Sequence, residues 1–101
     1  MHVVQILLPL ADNHGQPFPE SLLRELREEL VARFGGLTAY GRAPALGVWA
    51  HDGARQQDDI IVVEVMVERL DAAWWSAFRS RLERLLSQEK LVVRAFAITT
   101  F

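Results

Sequence analysis

Three polar side chains stand inside otherwise apolar runs: Gln5 in Val3–Leu8, Glu64 in Ile60–Val67 and Arg94 in Leu91–Ile98. An acid, an amide and a base gathered in apolar surroundings form a small polar centre. The carboxylate accepts or releases a proton, the guanidinium holds an anion or a carbonyl, and the amide bridges the two. The same three residues have a structural reading. A charge left unpaired on a buried face costs about several kcal/mol, so Glu64 and Arg94 should satisfy each other, directly or through Gln5, and fix the register of an interface.

A second group is Tyr40, Arg42 and Trp49, close in sequence on a Gly- and Pro-interrupted stretch. An aromatic–arginine set stacks on planar ligands, which makes these the candidate ligand-contact residues. The three histidines, His2, His14 and His51, show no metal-ligand spacing. His14 and His51 lie beside Asp12 and Asp52 in expected turns, where a solvated role is the ordinary one. Lys90, the sole lysine, falls at a helix–strand junction, a poor place for Schiff-base chemistry. The chain has no cysteine, which removes disulfides, thiolate nucleophiles and Cys-ligated metals together. It has no nucleophile elbow, P-loop or dinucleotide fingerprint either. These readings leave the catalytic residues unknown, expect no metal and call for no cofactor.

The elements that must position these residues follow from length and patterning. A chain of 101 residues has room for one core, so residues 1–101 are read as a single domain. The formal net charge is −2, with no basic stripe, which argues against nucleic acid. No apolar run is long enough to span a bilayer. Absence of cysteine and of a signal-like N-terminus leads us to expect a cytoplasmic protein. Ten of the eleven basic residues are Arg, which fits a GC-rich bacterial source.

Val3–Leu8 reads as a strand, ended by Pro9 and the turn formers of Ala11–Pro17. Pro19 suits the first turn of a helix whose stripe is Leu22, Leu23, Leu26, Leu30 and Phe34, stopped by Gly35-Gly36. On its other side Glu20–Arg24, Arg24–Glu28 and Glu29–Arg33 are spaced for i,i+4 pairs. Leu37–Trp49 carries Pro44 and Gly47 and is expected to be an edge strand with a kink or bulge. Asp52-Gly53 signals a turn, and Ile60–Glu68 is the strongest strand. Asp71 should cap a second helix with the stripe Trp74, Trp75, Phe78, Leu82, Leu85 and Leu86. Leu91–Ile98 is the last strand.

The order β-α-β-β-α-β resembles the ferredoxin-like α+β sandwich. That resemblance implies a four-stranded antiparallel sheet, strand order 4-1-3-2, with both helices on one face. Arg33–Thr38 and Gly47-Val48-Trp49 resemble segments of small bacterial proteins of this fold and imply no catalytic residues. Side-chain alternation then assigns the faces. Val4, Ile6, Leu8, Ile61, Val63, Val65, Val67, Leu91, Val93, Ala95 and Ala97 belong under the helices. Gln5, Glu64 and Arg94 belong on the open face with Val3, Leu7, Val62, Met66, Val92, Phe96 and Ile98. A single bulge would invert this assignment.

So large an apolar face needs a cover, and a second copy is the commonest one. The outcome resembles the dimeric α+β-barrel superfamily, in which two such sheets pack face to face. We therefore expect a homodimer that acts as a non-enzymatic small-molecule or protein-interaction module. The alternative implied by that resemblance is a cofactor-independent monooxygenase- or isomerase-like enzyme on a small, mostly apolar substrate.

Overall fold

A computed structural model describes the backbone of residues 1–51 and 54–101 and the side chains of residues 1–39 and 60–101. The element order is β1 (His2–Pro9), α1 (Glu20–Phe34), β2 (Thr38–His51), β3 (Ala54–Val67), α2 (Ala72–Leu85) and β4 (Val92–Ala97). The strands form one antiparallel sheet in the order β2-β3-β1-β4. Both helices pack on the same face. Their buried side chains share a cluster with Val4, Ile6, Leu8, Val63, Val65 and Val67, the parity expected to lie beneath them.

Local sequence explains most element ends. The Asp71 carboxylate accepts the Trp74 backbone N–H at 3.0 Å and caps α2. Gly35 ends α1 at φ 85°, a left-handed conformation that costs glycine nothing, and its N–H reaches the Val31 carbonyl. Pro19 stands one position before the expected first turn, as the N-cap itself; its carbonyl accepts from Leu22 and Leu23. In the β1–α1 turn one Asp12 carboxylate oxygen accepts the N–H groups of His14 and Gln16.

The core is aromatic at one end and aliphatic at the other. Phe34, Trp74, Trp75 and Phe78 interlock with ring centroids between 4.8 and 5.5 Å, alternating stacked and edge-on contacts. Trp75 is the buried member of the tryptophan pair and Trp74 is half-buried. The Arg33 guanidinium lies 4.4 Å from the Trp74 ring centre. Leu82 and Leu86 continue the α2 stripe to the far end of the sheet.

Four features depart from the sequence reading. Leu85 is about half exposed, because the stripe continues from Leu82 to Leu86 and turns Leu85 outward. Ala95 and Ala97 are exposed, since the helix layer leaves that corner of β4 bare. Glu29 pairs with Arg81 across the two helices, while Arg33 is drawn to the aromatic rings; on α1 the exposed ion pair spans Glu20 and Arg27. β3 starts at Ala54, not Ile60. The polar stretch Ala54–Asp59 is held by its ladder to β2, so pairing overrides composition. The expected irregularity in β2 is present as a register shift between Tyr40 and Ala45, around Pro44. Asp52 and Gly53, the expected turn, lie outside the described residues.

The stripe assignment is open to a paired test. Leu82→Ala should cost about 3 kcal/mol in urea unfolding, as a cavity at a fully buried leucine does. Leu85→Ala should change stability by no more than about 0.5 kcal/mol. Comparable losses at the two positions would contradict the observed packing.

Candidate functional site

β1 lies between β3 and β4, so each residue from His2 to Leu7 has one partner on either side. Gln5 pairs with Glu64 and with Arg94. All three point away from the helices, because Val4 and Ile6 on either side of Gln5 are 1% exposed in the core and alternation sends Gln5 the other way. The side chains meet as well. Gln5 Nε2 donates to Glu64 Oε1 at 2.8 Å, and Arg94 Nε donates to Gln5 Oε1 at 2.8 Å. The link from acid to base thus runs through the amide, with both ends of the amide used.

The chemistry of this row is limited by its own bonding. Gln5 has one oxygen and one nitrogen engaged, so it holds Glu64 and Arg94 one strand apart on either side. Glu64 is half-buried and Arg94 exposed. Among the described residues Arg94 uses only Nε; its two terminal nitrogens make no hydrogen bond or ion pair there.

Apolar rows flank it. Met66, Val3 and Phe96 stand in register on one side, and Val62, Leu7 and Val92 on the other. Met66, Phe96 and Val92 are 59%, 47% and 41% exposed. Val3, between Met66 and Phe96, is buried although it belongs to the open face. The face assigned from alternation is therefore the face observed.

Beside the row is a depression of about 360 Å³ that sequence reasoning did not identify. It is lined by Val3, Glu64 and Met66 of the face and by Phe34, Gly35, Gly36, Leu37 and Thr38. It exists because β2 joins β3 only as far as the Thr38–Glu64 pair, leaving β3 uncovered from Val65 to Val67 on that side. A Cβ at Gly35 or Gly36 would meet nothing within 4 Å, so neither position is crowded. Gly35-Gly36 was legible as a helix stop; adjacent glycines ahead of an edge strand were the available signal of an opening.

The other sequence candidates lie on β2, in the β1–α1 turn and at the start of β1. The backbone of Tyr40, Arg42 and Trp49 lies in β2, with Tyr40 opposite Val62 and Trp49 opposite Gln56, but their side chains lie outside the described residues. His14 is exposed in the β1–α1 turn. His2 lies at the start of β1, and its Nδ1 is buried without a partner. Among the described residues no three His, Cys, Asp or Glu side chains come together as metal ligands. No described helix is long and apolar enough to cross a membrane.

Neither a family model nor a curated protein matches the chain. Solved structures do. The divalent cation tolerance protein (CutA1) of Thermus thermophilus superposes with a TM-score of 0.64 over 100% of this chain and 87% of its own, at 15% identity. A phage SAM lyase in its apo state matches with a TM-score of 0.59 at 13% identity, covering 94% of this chain and 78% of that one. Its complex with S-methyl-5′-thioadenosine matches at 0.61 and 14%, covering 94% and 79%. The fold is ferredoxin-like. At these identities the likeness carries the fold and leaves the chemistry to the side chains.

The bridging role of Gln5 can be measured. A double-mutant cycle of Glu64→Gln and Arg94→Gln should show a coupling of up to about 1 kcal/mol in unfolding, as for a partly exposed charged network. In the Gln5→Ala background the coupling, read at a concentration where the protein is monomeric, should fall to near zero. A coupling that survives there would mean the two charges act without the amide.

Proposed function

We propose that the protein is a self-associating module in which a second copy covers the open sheet face, giving a homodimer. The observation that carries this reading is the exposure of Met66, Phe96 and Val92 in register around an internally bonded polar row. Side chains of that size, grouped on one rigid face with few charges, are the composition of an interface centre. The row favours a second copy over an unrelated partner. It contains both an acid and a base, so it complements itself.

The face alone is smaller than a standard interface and needs surface from beyond it. From strand spacing and rise, the face offers a footprint of about 500 Å² per copy. A standard interface uses about 800 Å² per partner. The distal β2–β3 ribbon supplies further surface. Six residue pairs, from Leu46↔Asp59 to His51↔Ala54, lie beyond the end of β1 and pair only with each other. They help stretch the molecule to 42 Å against 29 and 28 Å in the other directions. A two-stranded ribbon is marginally stable in water on its own, and a neighbouring copy would support it.

The depression beside Glu64 favours a second reading, in which the module holds a compact ligand. Its walls are apolar at Val3, Phe34, Leu37 and Met66 and polar at Glu64 and Thr38. That lining suits a small, mostly apolar molecule with one hydrogen-bond donor for the carboxylate.

Light scattering behind size exclusion tests the first reading. The wild-type protein should elute with twice the chain mass. Phe96→Asp should elute as a folded monomer, because a carboxylate in the centre of the seam has no partner. A monomeric wild-type protein at high concentration would remove the proposal. Native mass spectrometry of protein from a bacterial host tests the second. A retained small-molecule adduct should weaken on Glu64→Gln, which removes the carboxylate charge from the wall of the depression. No adduct in either protein would count against a ligand.

A further inference from the structure

The charge order of the polar row selects one two-fold axis among those that could relate two facing sheets. The inference rests on the self-association reading and specifies its geometry. Across the sheet the row runs Glu64, Gln5, Arg94, with Gln5 at its centre. Suppose the axis lies between the sheets and along the strands, passing over Gln5. The second copy then presents the row reversed, so that Glu64 of each copy faces the Arg94 position of the other, and Gln5 faces its own mate. An axis running across the strands instead places Glu64 over Glu64 and Arg94 over Arg94. Like charges brought together at a seam are strongly disfavoured, and opposite ones favour encounter and register.

The apolar rows agree with the first axis. Reversal brings Met66 over the Phe96 position and Val62 over the Val92 position, on both halves of the seam. Met66 and Phe96 are among the most exposed large apolar residues of the face, and a thioether against an aromatic ring is a favourable contact. Facing sheets lie about 10 Å apart, a gap that a glutamate and an arginine reaching toward each other can close. The terminal nitrogens of Arg94, unused within the described part of the chain, are the donors for that contact.

We infer that two copies pack sheet to sheet about a two-fold axis parallel to the strands, with Glu64 of each copy paired to Arg94 of the other. The pair is reciprocal, so it is made twice.

Charge reversal followed by mixing tests this. Glu64→Arg alone sets Arg against Arg at both contacts, and Arg94→Glu alone sets Glu against Glu. Each variant should weaken self-association by about tenfold or more. An equimolar mixture should restore a heterodimer, resolved from either homodimer by its mass in native mass spectrometry, because every facing pair is then opposite in sign. The double reversal Glu64→Arg/Arg94→Glu in one chain should also dimerise. Thermal melts by circular dichroism establish that each variant is folded. Single reversals that dimerise like the wild type would overturn the axis while leaving the covered face intact. Dissociation without rescue on mixing would also overturn it, since the row would then act only within its own chain. A wild-type protein that stays monomeric in the same spectra removes the underlying reading itself.

Discussion

The position of β1 is the constraint on which the other features depend. It is hydrogen-bonded on both sides, to β3 and β4, over most of its length. Val4, Ile6 and Leu8 are 6% exposed or less. Sliding this strand by one residue would put Gln5 into the helix-side core and bring those three apolar side chains out, so hydrophobic burial fixes the register firmly. Once it is fixed, Gln5 has nowhere to stand except between Glu64 and Arg94. The polar row is therefore a consequence of core packing on the opposite face.

The helices act on the same constraint from one side only. Trp75, Phe78, Leu82 and Leu86 from α2, with Leu26 and Leu30 from α1, fill the space above the sheet. Both helices lie on that side, so among the described residues no helix covers the second face. What remains there must be solvated or partnered. The three-residue network tolerates either state. Exposed, it is a weak surface link. Covered, it brings its polar atoms already paired in part, which lowers the cost of removing them from water.

Side-chain alternation alone made the face and the row legible. Glu64 and Arg94 share a parity that contains few other polar residues, and strand order then made Gln5 their only available bridge. The parts that escaped the sequence share a physical reason: each is decided by a long-range partner. Ala54–Asp59 is polar and reads as a loop, yet the ladder to β2 extends it. Glu29 has Arg33 four residues away and still pairs with Arg81, because Arg33 gains more from the ring of Trp74. Leu85 fits a helical stripe by spacing, but the sheet beneath is reached by Leu82 and Leu86. The depression beside Glu64 depends on where β2 stops, and no local signal marks that stop apart from two glycines.

Shared architecture explains little about what this face does. A cation tolerance protein and a SAM lyase superpose on the same backbone with TM-scores near 0.6, at identities of 13–15%. Their differing names show that the fold is a frame on which sites are placed. In this chain the open face combines two properties that bear on its use. Its amide is engaged at both ends, while the terminal nitrogens of Arg94 remain unused among the described residues. Its exposed side chains are large and held in rigid register, which favours a complementary surface. Both properties suit recognition by shape, with charge choosing the orientation. The depression lies beside that face and shares Val3, Glu64 and Met66 with it, so the same strand register that sets the polar row also sets one of its walls.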